Sequence, residues 1–408
     1  MSDGTLNIIF LLGAGASMPA GLPDMKRLTD DFLNSATQEK FDSNILPKIN
    51  TIKAAAFDFF RERNDLESMM TIIKRMEDVT EITILTTKYP DLKSITLEEL
   101  KIITNLIENF IRNKLEAINK DSIKYLEPIL GFLSRGTIEI FTLNYDGILD
   151  LLLESNNIEY SDGFSPFWNP TIFENPSLKV KLYRLHGSLY WFSIANGKNI
   201  KLPVKGLRPD QMSYITNDAL SEMILYPRMQ KEKHSQIYSW LSHRFIERLK
   251  ESDIFIIIGY SFRDQEIVDN IVEILNGNPR LWILILSPRA SEHKKSNFAN
   301  NIDLSSRVAP IDMGITEASG AARLYTYVQK LEKSIIMERE MWIKQHQNKD
   351  LYGQWNELIG TYLYLGLQER INYVCSRLKS SYGFTEEIID ELLTTSKNQV
   401  KLRWPSDM

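Results

Sequence analysis

The stretch that most constrains this chain is residues 7–17, NIIFLLGAGAS. Six apolar or β-compatible residues, 7–12, run straight into Gly13-Ala14-Gly15-Ala16-Ser17. A continuous apolar run of strand length, bounded by glycines, predicts a strand buried on both faces. The glycines let the backbone turn sharply, and their lack of side chains lets an anionic group approach exposed N–H groups. A first βα turn of this kind holds the pyrophosphate of a dinucleotide. The three-glycine fingerprint is incomplete, because Met18 stands where the third glycine would be. An ordinary glycine-rich strand-to-helix turn is the alternative, and the rest of the chain has to decide.

Further strands repeat the pattern. Residues 137–143, TIEIFTL, lead at once into Asn144-Tyr145-Asp146-Gly147, and residues 181–185 end on His186-Gly187-Ser188. The strongest strand signal is residues 253–259, DIFIIIG, which ends on Gly259-Tyr260-Ser261-Phe262. Strands at residues 281–286 and 307–311 complete the set. Helices are expected at residues 148–153, at 235–250 with Ser235 or a neighbour as cap, and at about 264–275. Buried strands alternating with helices predict an α/β fold with a doubly wound, mostly parallel, Rossmann-like sheet. Residues 164–170 read as an aromatic, proline-rich loop. Residues 196–211, with Lys198, Lys201, Lys205 and Arg208, read as a solvated basic surface loop.

Around that sheet the pattern changes. After Pro19 and the Gly21-Leu22-Pro23-Asp24 turn, residues 26–130 are almost wholly helical in periodicity. Leu66, Met69, Met70, Ile73 and Met76 form one stripe, and Leu97, Leu100, Ile103, Leu106 and Ile107 another. From residue 317 to 396 only helical spacing is found, rich in Tyr, Leu and Trp. The expected organisation is a core of residues 1–25 and 131–315, a helical insertion at 26–130, and a helical C-terminal region at 316–408. That last region either covers the sheet or forms an interface, because its Trp342, Trp355, Tyr362 and Tyr364 are of the type enriched where surfaces associate.

Composition removes several function classes. At 408 residues the chain has room for two or three domains and a large core. A net charge of -5 argues against a chain that coats nucleic acid unaided. Cys375 is the only cysteine, so no disulfide within the chain and no cysteine-based zinc site is expected. The first residues lack a basic segment followed by an apolar one, and the longest apolar runs are far short of the ~20 residues that span a bilayer. A cytoplasmic protein without a membrane or direct nucleic-acid partner is expected.

In an open parallel sheet, ligands bind beyond the carboxyl ends of the strands. Four strand ends here carry small or functional residues: GAGAS at 13–17, TLNYD at 142–146, LHG at 185–187 and GYSF at 259–262. His186 alone would be an ordinary structural histidine. At a strand end, followed by glycine and accompanied by an Asn and an Asp, it becomes a candidate catalytic group.

These four motifs, in this order and with GLPD after the first, resemble the sirtuin (silent information regulator 2) family over roughly residues 7–315. The likeness is greatest to its divergent bacterial branch associated with antiphage defence. The resemblance implies that Gly13, Ala14, Gly15 and Ser17 cradle the diphosphate of NAD, and that Asp24 is the acidic residue following Gly-Ile-Pro in sirtuins. It implies that Thr142, Asn144 and Asp146 correspond to the Thr-Gln-Asn-Ile-Asp motif, with the Asn beside the nicotinamide ribose and the Asp holding the carboxamide. His186 corresponds to the catalytic histidine. Gly259 and Ser261 correspond to the Gly-Thr-Ser on the adenosine side.

The residue types suit cleavage of the nicotinamide–ribose bond, which passes through an oxocarbenium-like state and releases a neutral leaving group. The site must distort the bond, exclude bulk water and place one nucleophile. An Asn amide orients a water or a ribose hydroxyl without adding charge, and a histidine of ordinary pKa, about 6.5, takes a proton near neutral pH. Two departures from the sirtuin deacetylases matter. Their four-cysteine zinc module is absent, and their Phe-Arg after the acidic residue is Met25-Lys26 here. Residues 227–234, PRMQKEKH, occupy part of that gap. The expectation is therefore an NAD hydrolase, with NAD as substrate and no metal, that depletes NAD during phage attack. An NAD-dependent deacylase or ADP-ribosyltransferase, or a non-catalytic NAD or ADP-ribose sensor, is the alternative. The resemblance further implies regulation by assembly: a homo-oligomer, a HerA-like DNA-translocating ATPase or an Argonaute-type partner.

Overall fold

A computed structural model describes residues 6–35, 44–60, 65–116, 118, 120–194, 198–202, 220–224, 236–299, 302–316, 320–345 and 351–403. Ten strands are present among them: β1 Ile8–Leu12, β2 Ile138–Thr142, β3 Tyr160–Ser161, β4 Val180–Arg184, β5 Gly187–Ile194, β6 Asn199–Lys201, β7 Leu220–Ile224, β8 Ile254–Ile258, β9 Trp282–Ser287 and β10 Val308–Asp312. Seven form a parallel sheet in the order β10-β9-β8-β1-β2-β4-β3. The other three form a small sheet, β6-β5-β7, paired antiparallel.

The expected α/β fold is therefore present, and its strand positions fall within a residue or two of those read from sequence. The cause is visible in burial: every residue of β2, β8 and β9 is buried, as is β1 from Ile9 onward. Only helices on both faces can produce that pattern. Strand β3 and the small antiparallel sheet have no counterpart in the sequence reading, which gives β6 as part of a basic loop and assigns no element to β5 or β7.

The chain divides into two compact units, one of Met1–Leu11, Tyr125–Ile138 and Phe245–Met408, the other of Leu12–Lys124 and Glu139–Arg244. In the first unit, the C-terminal helices Gly320–Gln345, Tyr352–Tyr364, Gln368–Tyr382 and Glu386–Arg403 pack on β9. Tyr362 stacks on Trp282 at 6.2 Å between ring centroids, and the Arg370 guanidinium lies 4.9 Å over the same indole. A buried Glu338 carboxylate accepts from Arg370 and from the Tyr362 hydroxyl on one oxygen, and from Arg370 and Trp342 Nε1 on the other. Trp355, Leu358, Ile359 and Tyr362 are all fully buried inside this unit.

In the second unit, helices Met25–Ser35, Ile45–Phe60, Leu66–Met76, Val79–Lys88 and Leu97–Leu115 account for most of the region read as helical. The Leu66–Met76 stripe is buried throughout; in the second stripe Leu97 is exposed, as the first residue after the Thr96 cap. Thr96 and Glu99 close a capping box there, reciprocally bonding each other's backbone N–H. No helix among the described residues is long and apolar enough to cross a membrane.

Candidate active site

Ligands of open parallel sheets sit beyond the carboxyl ends of the strands, and β1 ends at Leu12, immediately before Gly13.

The chain leaves β1 through two short 3-10 turns, Ala14–Ala16 and Met18–Ala20. Ala16 N–H donates to Gly13 O and Ser17 N–H to Ala14 O, both at 2.9 Å. The N–H groups of Ala14 and Gly15, at the start of the first turn, have no acceptor within it, as in any helical first turn. The sharp turn expected of the glycines is made without left-handed backbone at either of them. Gly13 is extended, φ -107° and ψ -179°, and neither Gly13 nor Gly15 has a positive φ. The left-handed position is Gly21, φ 90°, which closes the second turn. Asp24 caps the following helix: its Oδ1 accepts from Arg27 N–H at 2.8 Å.

β2 delivers Asn144 and Asp146 to this turn. Asn144 Nδ2 donates to Gly13 O at 3.0 Å and to Ser17 Oγ at 2.9 Å, and the Ser17 hydroxyl donates to Asp146 Oδ2 at 2.7 Å. Asp146 Oδ1 accepts from Ile148 N–H at 3.0 Å, which starts the helix Ile148–Ser155. Thr142 Oγ1 accepts from Asn144 N–H at 3.1 Å and donates to Leu12 O at 3.3 Å, joining the ends of β1 and β2. Five of the predicted residues, Gly13, Ser17, Thr142, Asn144 and Asp146, thus form one hydrogen-bonded set, with both Asn144 donors fixed and its Oδ1 in none of these bonds. Asp146 is buried, and burial pushes its carboxyl above the usual range against the opposing pull of the Ser17 hydroxyl, the Ile148 N–H and Arg184.

His186 sits in the turn between β4 and β5, buried, where Gly187 takes φ 83°. Its ring is 6.3 Å from that of Tyr145, whose hydroxyl donates to Glu67 Oε1 at 3.1 Å. Tyr145 and Glu67 were not singled out from sequence, although Tyr145 lies inside TLNYD. Gly259 and Ser261 belong to the first unit, at the end of β8. Gly259 has φ 63°, and its N–H donates to Leu286 O at 3.0 Å. Phe262 beside them also has a positive φ, 55°, and packs on Tyr260, His293 and Phe298.

One reading is reversed. Lys201, taken as part of a solvated loop, is on β6 and partly buried, with Nζ 2.8 Å from both Asp150 Oδ1 and Asp162 Oδ2. Two buried carboxylates hold it there, and the surrounding polar sequence gave no sign of them. Lys198 lies over the exposed Phe167 ring at 5.3 Å. Lys205, Arg208, Ser235 and residues 227–234 lie outside the described residues. Among the described residues there is no group of three or more His, Cys, Asp or Glu side chains placed to hold a metal ion.

Residues 138–305 match the family model described as a SIR2-like domain. No curated protein matches the chain. Similar solved structures include a Sir2 homologue in complex with NAD, at 12% identity and TM-score 0.40, covering 80% of this chain and 90% of that one. A mutant Sir2 homologue bound to ADP-ribose is similar at 10% identity and TM-score 0.40, covering 78% and 93%. A Sir2 with a p53 peptide and NAD+ is similar at 13% identity and TM-score 0.36, covering 78% and 91%. The stretch that carries Asn144, Asp146 and His186 lies within the residues that match the SIR2-like domain model.

Proposed function

We propose that this chain hydrolyses NAD at the nicotinamide–ribose bond, giving nicotinamide, ADP-ribose and a proton. The observation that carries the reading is the Gly13–Ser17–Asn144–Asp146 set. It fixes an uncharged amide beside the turn that follows β1. The Ala14 and Gly15 N–H groups suit a diphosphate. Asn144 Oδ1 then orients the attacking water or a ribose hydroxyl, and Gly13 O and Ser17 Oγ keep the amide from rotating.

His186 accepts the proton that water loses as it adds to the ribose carbon, and its burial keeps bulk solvent from that proton. The adenosine-side role of Gly259 and Ser261, the contact of Asp146 with the carboxamide, and the part of Asp24 rest on resemblance to sirtuins. So does the biological role, depletion of NAD during phage attack. Control of such an activity by a homo-oligomer, a HerA-like ATPase or an Argonaute-type partner completes the proposal.

The test is mass spectrometry of the products formed from NAD by the purified protein. Free ADP-ribose and nicotinamide in equal amounts are expected, and Asn144→Ala or His186→Ala should each lower turnover by about 10² or more in a folded protein. Wild-type turnover in either variant removes that residue from the mechanism. Nicotinamide released only when an acyl or protein acceptor is added, with the ADP-ribosyl group carried onto that acceptor, replaces hydrolysis by transfer.

A further inference from the structure

The buried polar groups of the second unit that the proposed chemistry leaves unused gather in one set. Arg184, the last residue of β4, is fully buried with Asp150 and Asp162. Its Nη2 donates to Asp150 Oδ2, and its Nε lies 3.7 Å from Asp162 Oδ2. Lys201 Nζ bridges the two carboxylates, the Tyr160 hydroxyl donates to Asp150 Oδ1 at 3.0 Å, and Trp191 Nε1 donates to Asp162 Oδ2 at 3.0 Å. Two cations thus face two carboxylates, the balance that lets charges remain in a dry interior. Burial opposes every one of these charges. Even so, Arg184 and Lys201 hold Asp150 below its ordinary pKa, and the two aspartates hold Arg184 and Lys201 above theirs.

Stability alone does not explain this cluster, since apolar side chains of equal volume often serve a core as well or better. What apolar side chains lack is donors, and the Arg184 fork has further work. Its Nη1 donates to Asp146 O at 3.0 Å and to Asn144 O at 3.4 Å. The carbonyl between them, Tyr145 O, accepts from Leu189 N–H at 3.1 Å. All three consecutive carbonyls of the turn after β2 are therefore held from β4 and β5, while Ser17 holds the side chains.

We infer that Arg184 is the positioning residue of this site. It clamps the main chain of Asn144 and Asp146 and so aims the Asn144 amide, while Asp150, Asp162 and Lys201 hold its guanidinium in place. The kinetic consequence rests on the proposed hydrolysis, but the clamp itself does not. Lysine at this position keeps the charge and loses the fork, because one ammonium nitrogen cannot span two carbonyls and a carboxylate. Replacing Arg184 by Met together with Asp150 by Leu removes one cation and one anion and leaves Lys201 paired with Asp162.

Amide hydrogen exchange read by mass spectrometry, on Arg184→Lys and on Arg184→Met/Asp150→Leu, tests the clamp. Exchange in residues 143–148 should rise about tenfold, with strands β1 and β2 unchanged. In the same variants kcat for NAD should fall about tenfold or more while KM stays within about threefold. Unchanged exchange at 143–148 overturns the clamp, and so does exchange that rises evenly across the unit. Failure of both variants to fold also overturns it, because Arg184 would then serve the fold instead of the turn. Loosened exchange with unchanged kcat overturns the positioning role. A wild-type protein that releases no ADP-ribose refutes the hydrolase reading instead, and the exchange result still decides whether Arg184 holds the turn.

Discussion

Ser17→Ala is the sharpest probe of the hydrogen-bonded set, because one small hydroxyl joins Asn144 to Asp146. The substitution removes the 2.7 Å bond to the buried Asp146 carboxylate and the 2.9 Å bond from Asn144, while Asn144 keeps Gly13 O and Asp146 keeps Ile148 N–H. Hydrogen bonds to charged groups contribute about 1.5–3 kcal/mol and neutral ones about 1, so a loss of about 2.5–4 kcal/mol is expected near neutral pH. For a unit of this size that lowers Tm by about 5–16 °C. The loss should depend on pH in one direction. Burial raises the folded pKa of Asp146, so ionising this group costs stability as pH rises through that value, and the Ser17 hydroxyl limits the cost by favouring the ionised form. Without Ser17 the folded pKa rises further. The gap between variant and wild type is therefore smaller in acid and grows as pH rises. Thermal unfolding followed by tryptophan fluorescence at pH 5 and pH 8 measures it. A Tm change under about 1 °C at pH 8, or a larger one at pH 5, would falsify the arrangement.

Two further outcomes follow from the packing. Gly163 has φ 92°, and a Cβ there would lie 2.3 Å from Cζ3 of Trp168, itself packed on Phe164, Trp191 and Trp240. Gly163→Ala should cost about 2–5 kcal/mol in denaturant unfolding. Gly21→Ala, at φ 90° with open space around it, should cost only the backbone part, about 1 kcal/mol; equal costs would mean that the indole yields. Burial pushes the Cys375 thiol up to about 11. Its alkylation by iodoacetamide at pH 8 should then be about 10² slower in the native protein than in urea, and equal rates would place the thiol at the surface.

Much of this was legible in the chain because buried parallel strands write themselves as apolar runs. IIFLL, IFIII and WILILS needed no partner to be recognised. The four candidate strand ends could be placed for the same reason, since a strand of known direction fixes where its last residue points. The small antiparallel sheet was not legible. β5 reads GSLYWFSI, bulky and without two-residue alternation, and β6 is three residues long. Its pairing also shifts register between Ser188 and Phe192. The interlock of Ser17 with Asn144 lay beyond sequence reading as well, because it joins groups 127 positions apart.

The buried charges show where local reading fails in principle. Arg184 ends the strand VKLYR, and Asp150 interrupts the helix start ILDLLL; each is a charge among residues that must be buried. Such a charge requires a partner, and its presence can be inferred before the partner is known. Lys201 stands in polar surroundings, NIK, with Lys198 nearby, and nothing local separates it from a solvated lysine. Its burial is decided by Asp150 and Asp162, 51 and 39 positions away, whose two negative charges a single Arg184 cannot balance. The unmatched carboxylate in that count is the only trace Lys201 leaves in the sequence. It becomes readable only once helix Ile148–Ser155 and strand β4 are known to share one core.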